Sequence, residues 1–223
     1  MLQTADGEQY KDMLALSRTA NEAYALKHGF RYQSYIGIKR GCFPWHAVFN
    51  RIFLIHEFIV TGFGGWIFYL DADAYVYDRD FDLARYIDGY SDKALIAAPA
   101  GTSGDRWNIN SGVLLFNLGH ATGRQIIEDW HADIMQSSDE QLRSAKIWGL
   151  NVEADQRRLT RILRKNPDYL AALHLAKQSI FNNHKASFVR HILRLRDGKK
   201  LSIAERIAIM REDIAIMRED IST

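Results

Sequence analysis

The stretch Trp66-Ile67-Phe68-Tyr69-Leu70-Asp71-Ala72-Asp73 decides the fold class of this 223-residue chain. Its first five residues form a continuous apolar run, which is typical of a strand buried on both faces of a parallel sheet. Two aspartates follow where such a strand would end. Ligands of α/β proteins bind beyond the carboxyl ends of the strands, so Asp71 and Asp73 are the first candidate site residues.

Predicted helices and strands alternate on both sides of this stretch. The apolar spacing predicts helices over residues 8–28, 46–60, 122–136 and 155–165. Short apolar or β-branched runs predict further strands at 30–36, 94–98 and 112–116. This alternation predicts an α/β sandwich with helices on both faces of a mostly parallel central sheet.

Composition excludes several classes of protein. Hydrophobic residues make up 47% of the chain and charged residues 25%, which is typical of a folded globular protein rather than a disordered one. The single cysteine, Cys42, excludes an intrachain disulfide and fits a reducing compartment. The first residues lack the basic and apolar segments of a targeting signal. We therefore expect a cytoplasmic protein.

Charge is distributed unevenly. The net charge is +2, but residues 184–200 carry six basic side chains and one acidic side chain, so the rest of the chain is −3. A local basic segment favours an anionic ligand such as a diphosphate, or peripheral contact with an anionic membrane. It also fits a solvated face, and no reader motif for nucleic acid accompanies it.

The pair Asp71 and Asp73 suits a metal. Alternate residues of an extended segment point to the same side, and carboxylate oxygens are the ligands that Mg²⁺ or Mn²⁺ prefers beside substrate phosphates. An isolated Asp-x-Asp pattern more often belongs to two aspartates that merely end a strand and cap the next turn, and the apolar strand before it here makes that interpretation weaker.

Three later segments also carry candidate polar groups. Asn110, Ser111 and Gly112 lead directly into a predicted strand, which suits hydroxyl-rich ligands or a simple turn. Asp155-Gln156 opens a predicted helix, where the carboxylate fits either a ligand or an N-cap. The segment 181–191 holds two histidines near basic residues, and a neutral imidazole there fits a metal site.

In this order, the four features resemble the GT-A glycosyltransferases, which use nucleotide-sugar donors. The resemblance is to two retaining groups, namely the glycogenin-like enzymes and the fungal and plant family of galactosyl-, mannosyl- and xylosyltransferases. It covers about residues 8–191 and rests on stretches 66–74, 110–117 and 155–156. Residues 45–52 also look like the helix that precedes the metal motif in the second group.

The resemblance implies a Rossmann-like GT-A domain and a metal-dependent hexosyl- or pentosyltransferase. Such an enzyme would move a sugar from a nucleotide-diphosphate sugar to a saccharide, lipid-linked or other acceptor, with retention. The metal, Mn²⁺ or Mg²⁺, would bind to Asp71, Asp73 and a late histidine, for which His191 is preferred to His184. The donor would bind to Arg51, Asp71, Ser111 and Gly112. The reacting sugar would lie beside Asn110, Asp155 and Gln156.

The chain departs from these families in two places. The Gly-x-x-Lys-Pro-Trp pattern that follows the histidine in the glycogenin-like group is absent. A GT-A domain normally opens with a full apolar strand that helps to bind the base, whereas only residues 1–5 precede the first predicted helix. Either that strand is very short or the chain lacks its original start.

Two alternatives to a transferase follow from the sequence. An apolar strand that ends in Asp-x-Asp also occurs in phosphatases of the haloacid-dehalogenase type, where Asp71 would be the nucleophile. A transferase-like fold without catalysis, acting as a scaffold, is the second alternative.

The last residues form a separate pattern. Two copies of Ile-Ala-Ile-Met-Arg-Glu-Asp occupy 207–213 and 214–220, after Ser202 and Glu205 at the spacing of a capping box. An apolar seam with the spacing 4-3-4-3-4 runs through them and consists of Ile203, Ile207, Met210, Ile214, Met217 and Ile221. This seam fits an amphipathic helix packed on its own domain or a helix that associates with a second copy. We therefore divide the chain into a GT-A domain (1–200) and a C-terminal amphipathic helix (201–223).

Overall fold

The computed structural model describes residues 1–196 and 198–219. The strands are β1 (Leu2–Ala5), β2 (Gln33–Ile36), β3 (Trp66–Asp71), β4 (Ala74–Val76), β5 (Leu95–Pro99), β6 (Ile109–Asn117), β7 (Leu173–Leu175), β8 (Phe181–Asn183), β9 (Val189–His191), β10 (Leu195–Arg196) and β11 (Lys199–Lys200). The helices are α1 (Lys11–Lys27), α2 (Asn50–Val60), α3 (Leu83–Asp88), α4 (Ala121–Met135), α5 (Asp139–Ser144), α6 (Asp155–Lys165), α7 (Pro167–Ala171) and α8 (Ile203–Glu219).

A six-stranded sheet with the order β2-β1-β3-β6-β5-β7 forms the centre of the molecule. Strand β6 runs antiparallel to both of its neighbours, whereas the pairs β1–β2, β1–β3 and β5–β7 are parallel. The α/β class and the mostly parallel sheet predicted from the sequence are therefore confirmed.

Strand β3 is buried on both faces, as its apolar run predicts. Ile67 and Tyr69 pack into one core, which they share with residues of α2, α4 and α6. Phe68 and Leu70 point the other way, into a core shared with Tyr24 of α1 and with the segment around β8 and β9. The sheet is thus the middle layer of a sandwich, and its edge at the end of β3 lies between two packed layers.

The N-terminal strand has only four residues but occupies a central position in the sheet, between β2 and β3. All four are buried, including the polar Gln3. The amide nitrogen of Gln3 donates to Ser17 Oγ (3.2 Å) and to the carbonyl oxygens of Asp71 (3.0 Å) and Ala74 (3.2 Å). These bonds compensate for the burial of its amide, so a short strand that is partly polar can serve in the core.

Several predicted boundaries were wrong for local reasons. The segment predicted as one helix over 46–60 begins as a 3-10 helix (Pro44–Phe49) and becomes α-helical only at Asn50. Helix α4 begins at Ala121, one residue before the predicted start, and it is capped by His120, whose Nδ1 accepts from the backbone N–H of Thr122 (3.1 Å). Strand β6 begins at Ile109, so Asn110 and Ser111 lie inside a strand and not in the loop before it.

A second, three-stranded sheet with the order β4-β9-β8 lies next to the end of β3. Strand β4 follows β3 after a turn at residues 72 and 73, and it pairs antiparallel with β9. In this register Ala74 lies opposite His191. The late histidine is therefore brought next to the Asp-x-Asp segment by sheet pairing across more than 100 residues of sequence.

The last described helix, α8, packs on α1. The capping box is present, because Ser202 N–H donates to Glu205 Oε2 (2.8 Å) and Glu205 N–H donates to Ser202 Oγ (3.2 Å). Three residues of the predicted apolar seam, Met210, Ile214 and Met217, are buried in a cluster with side chains of the main body. The seam residue Ile221 lies outside the described residues, and the boundary at residue 200 stays a prediction.

Among the described residues, no helix combines the length and apolar character needed to cross a membrane.

Candidate active site

A cavity of about 560 Å³ opens at the carboxyl ends of β1 and β3. The start of the antiparallel strand β6 and the N-terminus of α6 reach the same edge of the sheet and complete its wall. All but one of the site residues predicted from the sequence line this cavity: Arg51, Asp71, Asp73, Asn110, Ser111, Asp155, Gln156 and His191. The exception, Gly112, is not among the lining residues, but a β-carbon at this position would meet the side chains of His191 and Asp71.

The backbone at Asp71 and Asp73 differs from the continuous extended segment that the sequence predicted. Asp71 is the last residue of β3, but Asp73 belongs to the turn before β4 and not to a continuing strand. The turn keeps both carboxylates at one end of the cavity, together with His191 of β9. One ligand atom from each of the three residues lies within 4.8 Å of the others, which fits a single metal ion.

The environment of His191 supports a metal-ligating role. The ring is buried, and its Nδ1 is hydrogen-bonded to the side-chain oxygen of Asn182, which can only accept. Burial lowers the pKa of His191 to about 4, so the ring is neutral and Nε2 keeps its lone pair. That Nε2 faces Asp73 Oδ1 at 3.0 Å and Asp71 Oδ2 at 4.0 Å.

Three electron-rich atoms that face one another are stabilised by a cation between them. A ligating histidine also commonly donates its second ring N–H to an oxygen acceptor, which here is Asn182. Two carboxylates and one imidazole are compatible with Mn²⁺ or Mg²⁺. The donor set therefore fits a divalent metal, and it contains His191 and not His184.

Arg51 connects the two acidic parts of the site. Its guanidinium donates to Asp71 Oδ1 (2.7 Å) and lies 3.3 Å from Asp155 Oδ2, and it also bonds to the carbonyl oxygen of Ser111. Burial acts against the charge of Arg51, but the Asp155 and Asp71 carboxylates outweigh it and raise its pKa. Arg51, predicted to bind the donor, is thus occupied by protein groups in this structure.

Asp155 and Gln156 are held at the first turn of α6. The N-cap is Ala154, so the alternative in which Asp155 is merely an N-cap is wrong. The carboxylate of Asp155 is buried, and it accepts a hydrogen bond from Ser111 Oγ (2.9 Å). Burial raises the pKa of Asp155, and the nearby Arg51 partly offsets that effect. Gln156 Oε1 accepts from the backbone N–H of Ser111 (3.2 Å).

Asn110 and Gly112 shape the wall of the cavity. The side-chain oxygen of Asn110 accepts from the backbone N–H of Gly112 (2.7 Å). A β-carbon on Gly112 would lie 2.2 Å from His191 Cε1 and 2.7 Å from Asp71 Oδ2. The glycine is required by the close approach of two candidate metal ligands.

Sequence reasoning missed several residues of this cavity. Arg206 of α8 reaches its interior and forms an ion pair with Asp73. At its mouth, the guanidinium of Arg194 lies 4.3 Å from the ring centre of Trp148 and 5.7 Å from that of Tyr10. One signal for Arg206 was present in the sequence, since it lies one turn before Met210 on the buried stripe of an amphipathic helix.

Comparison with known proteins supports the fold alone. No family model matches the chain, and the search of curated proteins finds no match. Among solved structures, it is similar to a glycosyltransferase involved in the glycosylation of the major capsid of PBCV-1, with a TM-score of 0.65 and 16% identity over 94% of this chain and 98% of that one. It is also similar to apo GlyE of Streptococcus pneumoniae TIGR4, with a TM-score of 0.54 and 14% identity over 99% of this chain.

The chain spans 62% of the length of GlyE and nearly all of the first protein. These similarities, together with the sheet order and the position of the cavity, show that the protein has a GT-A-like glycosyltransferase fold. The fold predicted from the resemblance is confirmed.

Proposed function

We propose that this protein is a metal-dependent glycosyltransferase that moves a sugar from a nucleotide-diphosphate sugar to a saccharide or lipid-linked acceptor. One observation carries the proposal: Asp71, Asp73 and His191 converge in a cavity at the carboxyl edge of the sheet in a glycosyltransferase fold. A divalent cation bound there would stabilise the negative charge that develops on a departing nucleoside diphosphate.

The protein's own groups are arranged for this reaction. Arg51 and Ser111 fix the Asp155 carboxylate in the cavity wall, so its position does not depend on a bound ligand. A fixed negative charge beside the anomeric carbon would stabilise an oxocarbenium-like centre, and Gln156 lies next to it in the first turn of α6. We therefore assign Asp155 and Gln156 to the reacting sugar, with Asn110 nearby.

The mouth of the cavity suits a sugar acceptor. Tyr10, Trp45 and Trp148 line it, and aromatic rings offer the flat apolar faces on which the C–H side of a sugar packs. Transfer with retention, self-association through the terminal helix, peripheral membrane contact and a cytoplasmic location stay predictions.

The phosphatase alternative is disfavoured by the surroundings of its required nucleophile. Oδ1 of Asp71 accepts hydrogen bonds from Arg51 (2.7 Å) and from Tyr69 Oη (2.9 Å), and both reduce the nucleophilicity of that oxygen. An inactive scaffold remains an outcome of the experiment below.

The test is release of nucleoside diphosphate from a panel of nucleotide sugars with Mn²⁺ or Mg²⁺, with and without saccharide acceptors. We expect release that EDTA abolishes and that Asp73→Asn lowers at least about 100-fold, since a metal ligand is lost. Asp92→Asn, which alters an exposed surface aspartate, is the matched control and should leave the rate unchanged.

Phosphate release from simple esters would instead support the phosphatase. No reaction in either assay, with folded protein, would support the scaffold. If transfer is found, the anomeric configuration of the product, read by NMR, decides between retention and inversion.

A further inference from the structure

Helix α8 places a buried arginine in the candidate metal site. The guanidinium of Arg206 is held by three groups, because Nε donates to the carbonyl oxygen of Ile192 (2.8 Å), Nη1 to Tyr10 Oη (3.3 Å) and Nη2 to Asp73 Oδ2. Only 2% of Arg206 is exposed, and the side chain lines the cavity. A cation that is fixed and desolvated in this way interacts strongly with any charged ligand that binds beside it.

The docking of α8 explains why this guanidinium is fixed. Met210, one turn further along the helix, is fully buried. Asp213 lies nearly two turns beyond Arg206, and its carboxylate accepts from Arg190 Nη1 (2.7 Å) and from Tyr75 Oη. The helix is therefore anchored on both sides of Met210, and this anchoring keeps Arg206 in contact with Asp73.

Both carboxylates of the candidate metal cluster are ion-paired before a ligand binds. Asp71 is paired with Arg51, and Asp73 is paired with Arg206. In Asp73 the two oxygens have different partners, since Oδ1 faces His191 and Oδ2 faces Arg206. A cation at the Asp71–Asp73–His191 cluster would thus share one carboxylate with a guanidinium, and like charges so close together repel each other strongly in a buried site.

We propose that Arg206 makes metal binding dependent on the donor diphosphate. Its charge opposes a divalent cation that binds alone, but it attracts the diphosphate of a nucleotide sugar, which carries negative charge into the same cavity. The metal then binds tightly only together with the nucleotide. This inference rests on the proposed function, and it makes Arg206 a specificity-determining residue that selects the metal–diphosphate pair over either part alone.

The test compares Arg206→Gln with the wild-type chain by isothermal titration calorimetry. Mn²⁺ is titrated alone, and UDP and GDP are then titrated in saturating Mn²⁺. We expect the variant to bind Mn²⁺ alone roughly tenfold more tightly and the nucleoside diphosphate roughly tenfold more weakly, as for loss of one charge-assisted interaction. Arg211→Gln, which alters an exposed arginine of the same helix, is the control and should change neither affinity.

Opposite changes in the two affinities support the proposal, because a purely structural role of Arg206 would weaken both. Weaker binding of Mn²⁺ by the variant would overturn it, and so would an unchanged affinity for Mn²⁺ or for the nucleoside diphosphate.

If Arg206→Gln does not fold, Arg206→Lys keeps the charge and should keep the diphosphate affinity within about threefold. A larger loss would show that charge is not what Arg206 supplies. Failure of the wild-type chain to bind UDP or GDP, together with no release of nucleoside diphosphate from any donor of the panel, would refute the proposed function instead, and the Mn²⁺ titration would still report on Arg206.

Discussion

Replacing Gly112 by alanine tests how closely the candidate metal ligands are packed. The added methyl carbon would lie 2.2 Å from His191 Cε1 and 2.7 Å from Asp71 Oδ2, whereas an ordinary contact begins at 3.4 Å. The imidazole would therefore have to move by roughly 1.2 Å, and it is buried and tied to Asn182. Overpacking of this kind typically costs about 1–3 kcal/mol of the free energy of unfolding.

The larger effect should be on metal binding, because both displaced groups are candidate ligands. Disturbing the support of a metal ligand usually lowers affinity by about 10–100-fold, so we expect Gly112→Ala to weaken Mn²⁺ binding by that factor in a titration with saturating nucleoside diphosphate. Urea unfolding measures the stability change separately. Gly64→Ala is the matched control, since its methyl group would have no neighbour within 4 Å. Wild-type Mn²⁺ affinity in Gly112→Ala would refute the assigned ligand cluster.

Three further changes test other parts of the structure. Arg51→Leu leaves the buried Asp155 and the partly exposed Asp71 without their shared partner, so the free energy of unfolding in urea should fall by about 3–5 kcal/mol, and a fall below about 1 kcal/mol would contradict the ion-pair network. Met210→Ala should cost about 2–5 kcal/mol while the exposed Ile216→Ala costs little, and equal effects would show that α8 is not docked as described. Burial lowers the pKa of His46 to about 4 from its ordinary 6.5, so the unfolded chain takes up a proton first and the free energy of unfolding should fall as the pH drops from 6.5 towards 4. That contribution should be missing from His46→Asn.

The sequence was informative where burial leaves a local pattern. The apolar run 66–70 predicted a central strand because every side chain of a doubly buried strand is apolar. The four-residue strand β1 was harder to recognise, because Gln3 and Thr4 are polar. Gln3 is buried only because partners from α1 and the end of β3 meet its amide, and hydropathy does not report such bonds.

The sequence predicted which residues belong to the candidate site better than it predicted the contacts between them. Asp71 and Asp155 were singled out from the sequence, and Arg51 was assigned to the donor. The ion pairs of Arg51 with both aspartates were missed, because they form only when α2 packs against the sheet. The preference for His191 over His184 came from a family resemblance, whereas in the structure the pairing of β4 with β9 brings it to the site. The contact between Arg206 and Asp73 spans 133 residues, and no local pattern encodes it.

The tandem heptads behind Arg206 have a consequence for how this protein can vary. Seven residues advance an α-helix by about 10.5 Å and return it to within about 20° of its starting direction. Gain or loss of one copy would therefore alter the reach of α8 by two turns while methionines continue to face the body, as Met210 and Met217 do. Arg206 precedes both copies, so the helix can lengthen or shorten by one copy while the ion pair between Arg206 and Asp73 is kept.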